Sequence, residues 1–538
     1  LQLADLDGDG RREVCGRGDG GVVCAFADGG VWRSMSFNDA TAWGDDRYYP
    51  SVQFPDVTGD GRTAIRGNWG MFYDRTMGSV VNSIDGATPG FSQSVPVLTP
   101  SGSEVRISDG SLVMPAVPGA PSLTPAATRA ISLYVPNPNL RSGYVMSYSL
   151  NVQREIFRNT VLEVGYVANR GVKLYMNRDI NQPRIYGDFL NSFKELQAYQ
   201  LNSSATPSAG NILVKMFNTP AAAISALGAT TVSQGLVGTA ANTIDRSSSN
   251  YNRYAAAGLS QTFLRPFPQF NQVRLGVNDG RSYYDSLQLS LRRSMGALRV
   301  SAYYTFGKAE DNIGGYSATS SSAEGNGYAP PIDSLNLRLM RGIADFDRKH
   351  VFNSQTIYAL PFGRNKRWGS NWNRAVDSLA GGWELGGIWI WQSGSPYTVL
   401  SQRYTAGYNS QYTWMNYTGS RGTVGSVSRQ GNGVYFLQAS ELAKFTFPGA
   451  GEVGNQGRNQ FYGPRFFDVD MSMVKKFAVT EKSAFAFRAE AYNLFNNTNF
   501  SGLQTNVNNA STFGKFSSTT GLQASSARTM QMSLRFDF

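Results

Sequence analysis

One histidine, His350, stands among 538 residues. A His-dependent triad or a multi-His metal site would have to grow around this residue alone. No HExxH, GxSxG, P-loop or strand-linked GxGxxG accompanies it, so the chain does not read as an enzyme and offers no catalytic residue. Cysteine is almost as scarce, with only Cys15 and Cys24. Their spacing is not that of a CxxC metal site; in an oxidising compartment they either close a small disulfide loop or stay as two thiols. Mean hydropathy is −0.30, and no run of the roughly 18 apolar residues needed for a transmembrane helix is present. No charged amino-terminal stretch with an apolar segment and cleavage site opens the chain, which reads as a mature product or a fragment. The net charge of +11 is scattered without a Lys/Arg block, so no nucleic-acid partner is expected.

What the chain does have is strict alternation. From Met530 to Phe538 the residues Met530, Met532, Leu534, Phe536 and Phe538 are apolar, and Gln531, Ser533, Arg535 and Asp537 between them are polar. Side chains on a strand alternate between faces, so this strand has one greasy side and one wet side. Tyr144, Met146, Tyr148, Leu150, Val152 and Ile156 repeat the pattern, and after a turn at Arg158-Asn159 the next strand carries Leu162, Val164 and Tyr166. A second hairpin pairs Leu287, Leu289 and Leu291 with Leu298, Val300, Ala302, Tyr304 and Phe306 around Met295-Gly296. Further strands are expected at 352–360, 383–391, 467–475 and 485–493, with weaker ones at 64–73 and 412–417, roughly a dozen in all.

The connections are unequal. Arg158-Asn159, Met295-Gly296 and the segment from Ala478 to Lys482 are tight, whereas about 196–260, 309–345, 400–450 and 496–527 are long tracts rich in Ser, Thr, Asn, Gly and Ala. Short turns on one rim and long loops on the other, with lipid on one strand face and a polar lumen on the other, is the arrangement of outer-membrane barrels. A soluble sandwich with insertions is the alternative, and loops this long weigh against it. Aromatics at 12% suit the interfacial girdles of a barrel. Asp345, Asp347 and Arg348 are expected to form a lumen-side ion-pair cluster, and Arg488 and Glu490 to share the inward face. The fold class expected is all-β: an antiparallel transmembrane β-barrel, incomplete, preceded by a fragment of a β-propeller-type repeat.

Residues 63–538 resemble the carboxy-terminal barrel portion of TonB-dependent transporters of the Oar-like group. The matching stretches run from Thr63-Ala64-Ile65-Arg66-Gly67-Asn68-Trp69-Gly70 through Arg265-Pro266-Phe267-Pro268-Gln269-Phe270 to Asp345-Phe346-Asp347-Arg348-Lys349-His350. They continue with Gln392-Ser393-Gly394-Ser395-Pro396-Tyr397-Thr398, Gly454-Asn455-Gln456-Gly457-Arg458-Asn459 and Ala489-Glu490-Ala491-Tyr492-Asn493-Leu494-Phe495-Asn496. The resemblance implies residence in the cell outer membrane and uptake of a ligand through a barrel whose plug is moved by the TonB complex. It further implies contact with outer-membrane lipid and insertion by the barrel assembly machinery through the last strand. The parent barrels have about 22 strands. Neither a plug nor a TonB box is recognisable before residue 63, so this chain is not expected to transport by itself.

Residues 1–62 resemble instead an FG-GAP or VCBS repeat, a propeller-blade unit with a calcium loop. Leu3-Ala4-Asp5-Leu6-Asp7-Gly8-Asp9-Gly10-Arg11 recurs as Phe54-Pro55-Asp56-Val57-Thr58-Gly59-Asp60-Gly61-Arg62. The resemblance implies calcium held by Asp5, Asp7, Asp9, the Arg11 carbonyl and Glu13, an oxygen-rich set with glycines for the tight turn. An acidic Gly-rich turn without metal is the alternative. The second copy keeps Asp56 and Asp60 but has Thr58 and Ala64 at ligand positions, so its site is expected to be weak or absent. One resemblance ends and the other begins within 59–64, which fits a chimeric or misassembled frame at least as well as a natural fusion. A secreted or surface-exposed calcium-binding adhesion or repeat protein is the rival functional reading.

Overall fold

The computed structural model describes residues 61–73, 129–313, 330–407, 412–421, 424–480, 483–521 and 527–538, together with the backbone of five strands within 2–54. Those five are β1 (Gln2–Ala4), β2 (Glu13–Gly18), β3 (Gly21–Asp28), β4 (Val31–Phe37) and β5 (Ser51–Phe54). The sheet continues with β6 (Thr63–Tyr73), β7 (Leu133–Pro136), β8 (Tyr144–Phe157), β9 (Thr160–Asp179), β10 (Val273–Met295), β11 (Leu298–Asp311), β12 (Gly342–Ile343), β13 (His350–Ala359) and β14 (Trp383–Gln392). Short strands then follow as β15 (Pro396–Tyr397), β16 (Asn416–Tyr417), β17 (Ser428–Gln430), β18 (Gly433–Tyr435), β19 (Phe445–Thr446) and β20 (Phe461–Tyr462). The chain returns to the main sheet with β21 (Phe466–Ala478) and β22 (Ala484–Tyr492), makes a small hairpin of β23 (Asn499–Leu503) and β24 (Phe516–Thr520), and ends on β25 (Thr529–Asp537).

Seventeen strands form one sheet. From β6 the long strands pair antiparallel in the order β6, β8, β9, β10, β11, β13, β14, β21, β22, β25. Each is between 9 and 23 residues long, enough to cross a bilayer when tilted. The roughly dozen strands expected from sequence are thus ten spanning ones. The segment 412–417 supplies only the two residues of β16, because Thr413, Trp414 and Met415 turn into the interior of a loop structure. On the far side β6 pairs with β5, and β1 links β5 to β2, β3 and β4, so the amino-terminal strands extend the edge of the same sheet. Among the described strands β25 pairs with β22 alone, and the sheet does not close on itself.

Register explains the two faces. Cross-strand partners lie on the same side, and the apolar residues fall opposite one another strand after strand: Ile65 with Val152, Val152 with Val164, Val164 with Leu289, Leu289 with Tyr304, Tyr304 with Phe352 and Phe352 with Trp391. Trp391 in turn lies opposite Phe467, and a parallel row on the same face runs from Leu385 through Met473 and Ala489 to Met532. These residues are not a core. Leu150 is 53% exposed and Met532 71%, a contiguous apolar surface far beyond what a soluble monomer shows. On β10 the outward charges Asp285 and Arg293 bracket Leu287, Leu289 and Leu291. Eight residues at about 3.3 Å each, tilted by about 40°, give a band about 20 Å tall, close to the height of a hydrocarbon slab on a barrel.

Aromatic groups mark both borders of the band. Toward the long loops lie Tyr304, Phe306, Trp391 and His350, the last stacked 5.0 Å from Phe306 and within 2.7 Å of the Tyr304 hydroxyl through Nδ1. His350 is therefore an outward girdle residue. Toward the tight turns lie Trp383 with Phe487 and Phe485 with Phe536 and Phe538. The turns at Asn159 and Gly296 are tight because both residues take the left-handed conformation that such hairpins need.

The described parts of the long tracts are folded, contrary to their polar appearance in sequence. Between β9 and β10 the helices Asp188–Leu201, Ile212–Phe217, Pro220–Leu227 and Val237–Asp245 pack Phe189, Phe193, Leu196, Leu213, Val237 and Ile244 into a buried cluster. A second cluster of Val399, Met415, Tyr417, Phe436, Phe445 and Phe461 holds the β14–β21 connection together. Alanine-rich stretches look like loops by composition but form helices when an apolar face finds neighbours.

An arginine placed midway down the band tests its environment. Leu289→Arg should lower the stability of the chain folded in lipid vesicles by about 2–4 kcal/mol in urea titration, and Gln288→Arg on the opposite face by far less. Equal losses would contradict the assignment of faces.

Candidate functional site

The concave face opposite the apolar band is polar. Gln153, Glu163 and Ser290 are register partners, as are Asn151, Gly165, Gln288 and Thr305. Glu163 pairs with Arg292 at 3.0 Å, and Arg66 donates to the Gln153 side chain at 2.7 Å. Further round, Arg488 pairs with Glu490 at 2.5 Å, as their shared face leads one to expect. Asn151, Glu163, Gln288, Ser290 and Arg292 line a polar cleft on this side. Such a surface suits water and hydrophilic solute.

At the rim of long connections the motifs noted in the sequence meet. Arg458, 7% exposed, ion-pairs with Asp311 at the end of β11 and donates to the carbonyls of Asp311 at 2.9 Å and Gly342 at 3.2 Å. Asn459 donates to Ile343 O at 2.8 Å and to Asp345, and exchanges bonds with Thr398 at 2.9 and 2.7 Å. Gln456, 1% exposed, accepts from Val399 N at 3.1 Å and donates to Val399 O at 2.7 Å and Met415 O at 2.9 Å. One six-residue stretch thus ties three chain segments to the end of the barrel. Gly454 is required there: at φ +84° a Cβ would lie 2.2 Å from the Trp414 carbonyl.

Asp345, Asp347 and Arg348 do not form the expected ion-pair cluster. Asp347 accepts from Ala309 N at 2.7 Å and Tyr462 at 3.1 Å, Asp345 accepts from Asn459, and Arg348 donates to the Asp347 backbone carbonyl at 2.7 Å. The carboxylates are consumed by rim hydrogen bonds, which satisfy backbone groups that strand pairing leaves open.

A second latch holds the helical tract. Arg265 is fully buried and pairs with Asp245 at 2.5 Å, and Arg129 joins Asp245 at 2.9 Å while lying 3.6 Å over the Tyr251 ring. Asn181 receives the Phe267 amide at 2.8 Å and donates to the carbonyls of Phe267 and Phe270 at 3.0 and 2.9 Å, locking the Arg265–Phe270 stretch. In the other tract Tyr417 donates to Glu441 at 2.8 Å. Burial pushes its hydroxyl up to about 12, while Lys444 first and Tyr417 second hold the Glu441 carboxyl below its ordinary range.

Of the expected calcium ligands, Asp5, Asp7, Asp9 and Arg11 lie outside the described residues, and Glu13 opens β2 with its side chain likewise outside them. Among the described residues no group of three or more His, Cys, Asp or Glu is placed to hold a metal ion, and no helix is long and apolar enough to cross a membrane. In the sequence Arg458, Asn459 and Arg265 stand out only as parts of motifs. Polar residues set between obligatory glycines in 454–459 were the available signal for a latch; nothing local marked Asp245 or Arg129.

The latch has a measurable strength. Arg458→Ala leaves Asp311 buried without its partner and should cost about 3–5 kcal/mol. Amide exchange across 396–400 and 342–345 should accelerate, while β8 and β9 stay protected. Arg458→Lys should restore little, since an ammonium cannot span several acceptors as the planar fork does.

A family profile described as outer membrane beta barrel domain matches residues 55–531. No curated protein sequence matches. Among solved structures the chain is similar to the outer-membrane transporter YddB from Escherichia coli, with 8% identity over 98% of this chain and 43% of that one and a TM-score of 0.39. It is also similar to the FpvA pyoverdine receptor of Pseudomonas aeruginosa, with 9% identity over 98% and 41% and a TM-score of 0.34. The FrpB iron transporter of Neisseria meningitidis matches at 8% identity over 96% and 41%, with a TM-score of 0.32. The chain spans less than half the length of each of these. The family match covers most of the chain, from just before β6 into the start of β25: the chain belongs to the outer-membrane β-barrel domain family, a family of the cell outer membrane.

Proposed function

We propose that this chain is part of the barrel of a TonB-dependent transporter, taking up a ligand across the outer membrane when its barrel is complete. The observation that carries the reading is the combination of a polar concave face with a rim of folded, latched connections. A general pore does not require such a rim, whereas a receptor that must hold a ligand before passing it inward does. The resemblance in the sequence to the Oar-like group supplies the TonB complex as the energising partner and the barrel assembly machinery, reading the last strand, as the insertion partner. The ligand is left open.

The strands present do not suffice for transport alone. In hydrocarbon every backbone polar group without a partner costs several kcal/mol, and the outer edge of β25 pairs with no described strand. The full chain refolded into planar bilayers should therefore give no stable, discrete conductance. Uniform long-lived steps would show a closed barrel and overturn this part of the reading. Uptake itself is tested in cells carrying the barrel with a plug domain supplied: ligand entry abolished by loss of TonB supports the proposal, and entry independent of it does not.

Calcium binding at Asp5, Asp7, Asp9, Arg11 and Glu13 belongs to the same proposal as an accessory site on the amino-terminal strands. Titration of the full chain should show one site with a dissociation constant on the order of 10⁻⁴ to 10⁻³ M that disappears in Asp7→Ala. Unchanged binding in that variant would remove the site. The rival adhesion or repeat-protein reading has little beyond the residues before 55 to stand on, since the barrel family occupies 55–531.

A further inference from the structure

The β13–β14 connection, on the rim of tight turns, is the long exception there. Residues 361–382 form a closed strap. Gly363 N donates to Trp368 O at 2.9 Å and Trp368 N to Pro361 O at 3.0 Å, Phe362 and Trp368 lie 5.3 Å apart, and Asn373 caps the short helix Arg374–Ala380 through Val376 N at 2.8 Å. The strap is fastened to the outward face of the barrel. Trp383 donates through Nε1 to Leu379 O at 2.9 Å, and Lys475 of β21, 3% exposed, donates to Asp377 O at 3.3 Å and to Gly381 O. Trp383 is itself part of the aromatic border of the apolar band, packed edge-on to Phe487 at 6.1 Å.

What the strap presents outward is unusual for a connection that has no ligand to choose. Trp368 is 51% exposed, Val376 41% and Leu379 71%. Arg364, Lys366, Arg367 and Arg374 are all exposed beside them, with Asp377 as the single acid in the segment. Asp377 is occupied in receiving Arg364 N at 2.7 Å, and none of the four cations makes an ion pair with a described residue. Exposed apolar side chains and unneutralised cations side by side, continuous with a lipid-facing aromatic border, match one chemical environment: an anionic headgroup layer. On the outward face of β9 and β10, Arg170 is paired with Asp285 at 2.6 Å, whereas the strap sets four cations without a described acidic partner side by side.

We propose that the strap 361–382 is an interfacial anchor that binds anionic phospholipid headgroups in the leaflet at the tight-turn rim. Trp368, Val376 and Leu379 enter the headgroup layer, and Arg364, Lys366, Arg367 and Arg374 gather phosphodiesters around them. The inference rests on insertion of the band into lipid and is independent of the transport reading. A chain with Cys15→Ser, Cys24→Ser and Val376→Cys, labelled with an environment-sensitive fluorophore, tests it in vesicles containing spin-labelled phosphatidylglycerol or phosphatidylcholine at equal mole fraction. Quenching by the anionic lipid should exceed quenching by the zwitterionic one at least about twofold, the preference vanishing when the four cations are replaced by Gln. A Leu289→Cys label should be quenched equally by both lipids in either background, which reports that the barrel remains inserted. Equal quenching at Val376 by the two lipids overturns the proposal. So does protection of Val376 from both lipid quencher and aqueous iodide, which would place a protein partner on the strap. Loss of quenching at Leu289 would refute insertion and the anchor with it, an outcome distinct from a failure of TonB-dependent uptake.

Discussion

Backbone hydrogen bonding inside hydrocarbon is the constraint on which everything else in this molecule depends. Water is absent there, so each strand must pair on both edges, and side chains on one face must be apolar because lipid is their solvent. The register from Ile65 round to Met532 satisfies both demands at once: every antiparallel pairing that satisfies the backbone also sets one outward apolar residue beside the next. A one-residue slip of β10 would turn Leu289 inward and Gln288 outward. The outer edge of β25, which pairs with no described strand, meets the same constraint, and the pairing of β5 with β6 shows how readily an exposed edge is covered.

The rim answers a different problem. Where strands end, their last carbonyls and amides lose their ladder partners, and the long connections must satisfy them. Arg458, Asn459 and Gln456 do this by bonding mostly to backbone across three segments, and Arg265 with Asn181 does it for the helical tract. Two buried charge clusters here are paired: Asp245 sits between two guanidinium groups, and Arg458 lies against Asp311. The result is a cross-linked set of connections at the end of the polar strand face. The opposite rim has tight turns and the single strap, whose exposed cations and aromatics face the border of the band.

Much of the barrel was legible from residues alone because membrane strands obey a period of two with few exceptions. The hairpins around Arg158-Asn159 and Met295-Gly296 and the carboxy-terminal strand from Met530 follow the alternation residue by residue. The helices of 188–245 did not announce themselves, since their sequences are rich in Ala, Ser and Thr and their apolar faces become cores only when packed together. The two-residue β16 shows the converse: an aromatic-rich segment at 412–417 resembles a strand, yet Trp414 and Met415 serve two different buried clusters.

By itself the sequence determined which side of each strand meets lipid, because polarity alternates with a period that no packing can alter, and it carried the family motifs in their order. Only the tertiary structure decided what those motifs are for. The contacts of Arg458 with Asp311, separated by 147 positions, and of Arg129 with Asp245, separated by 116, depend on chain ends brought together by sheet register. Pairing at such distances leaves no local periodicity to read. The same holds for the strap, whose cations look ordinary along the chain and become a patch only where Trp383 and Lys475 fasten it beside the apolar band.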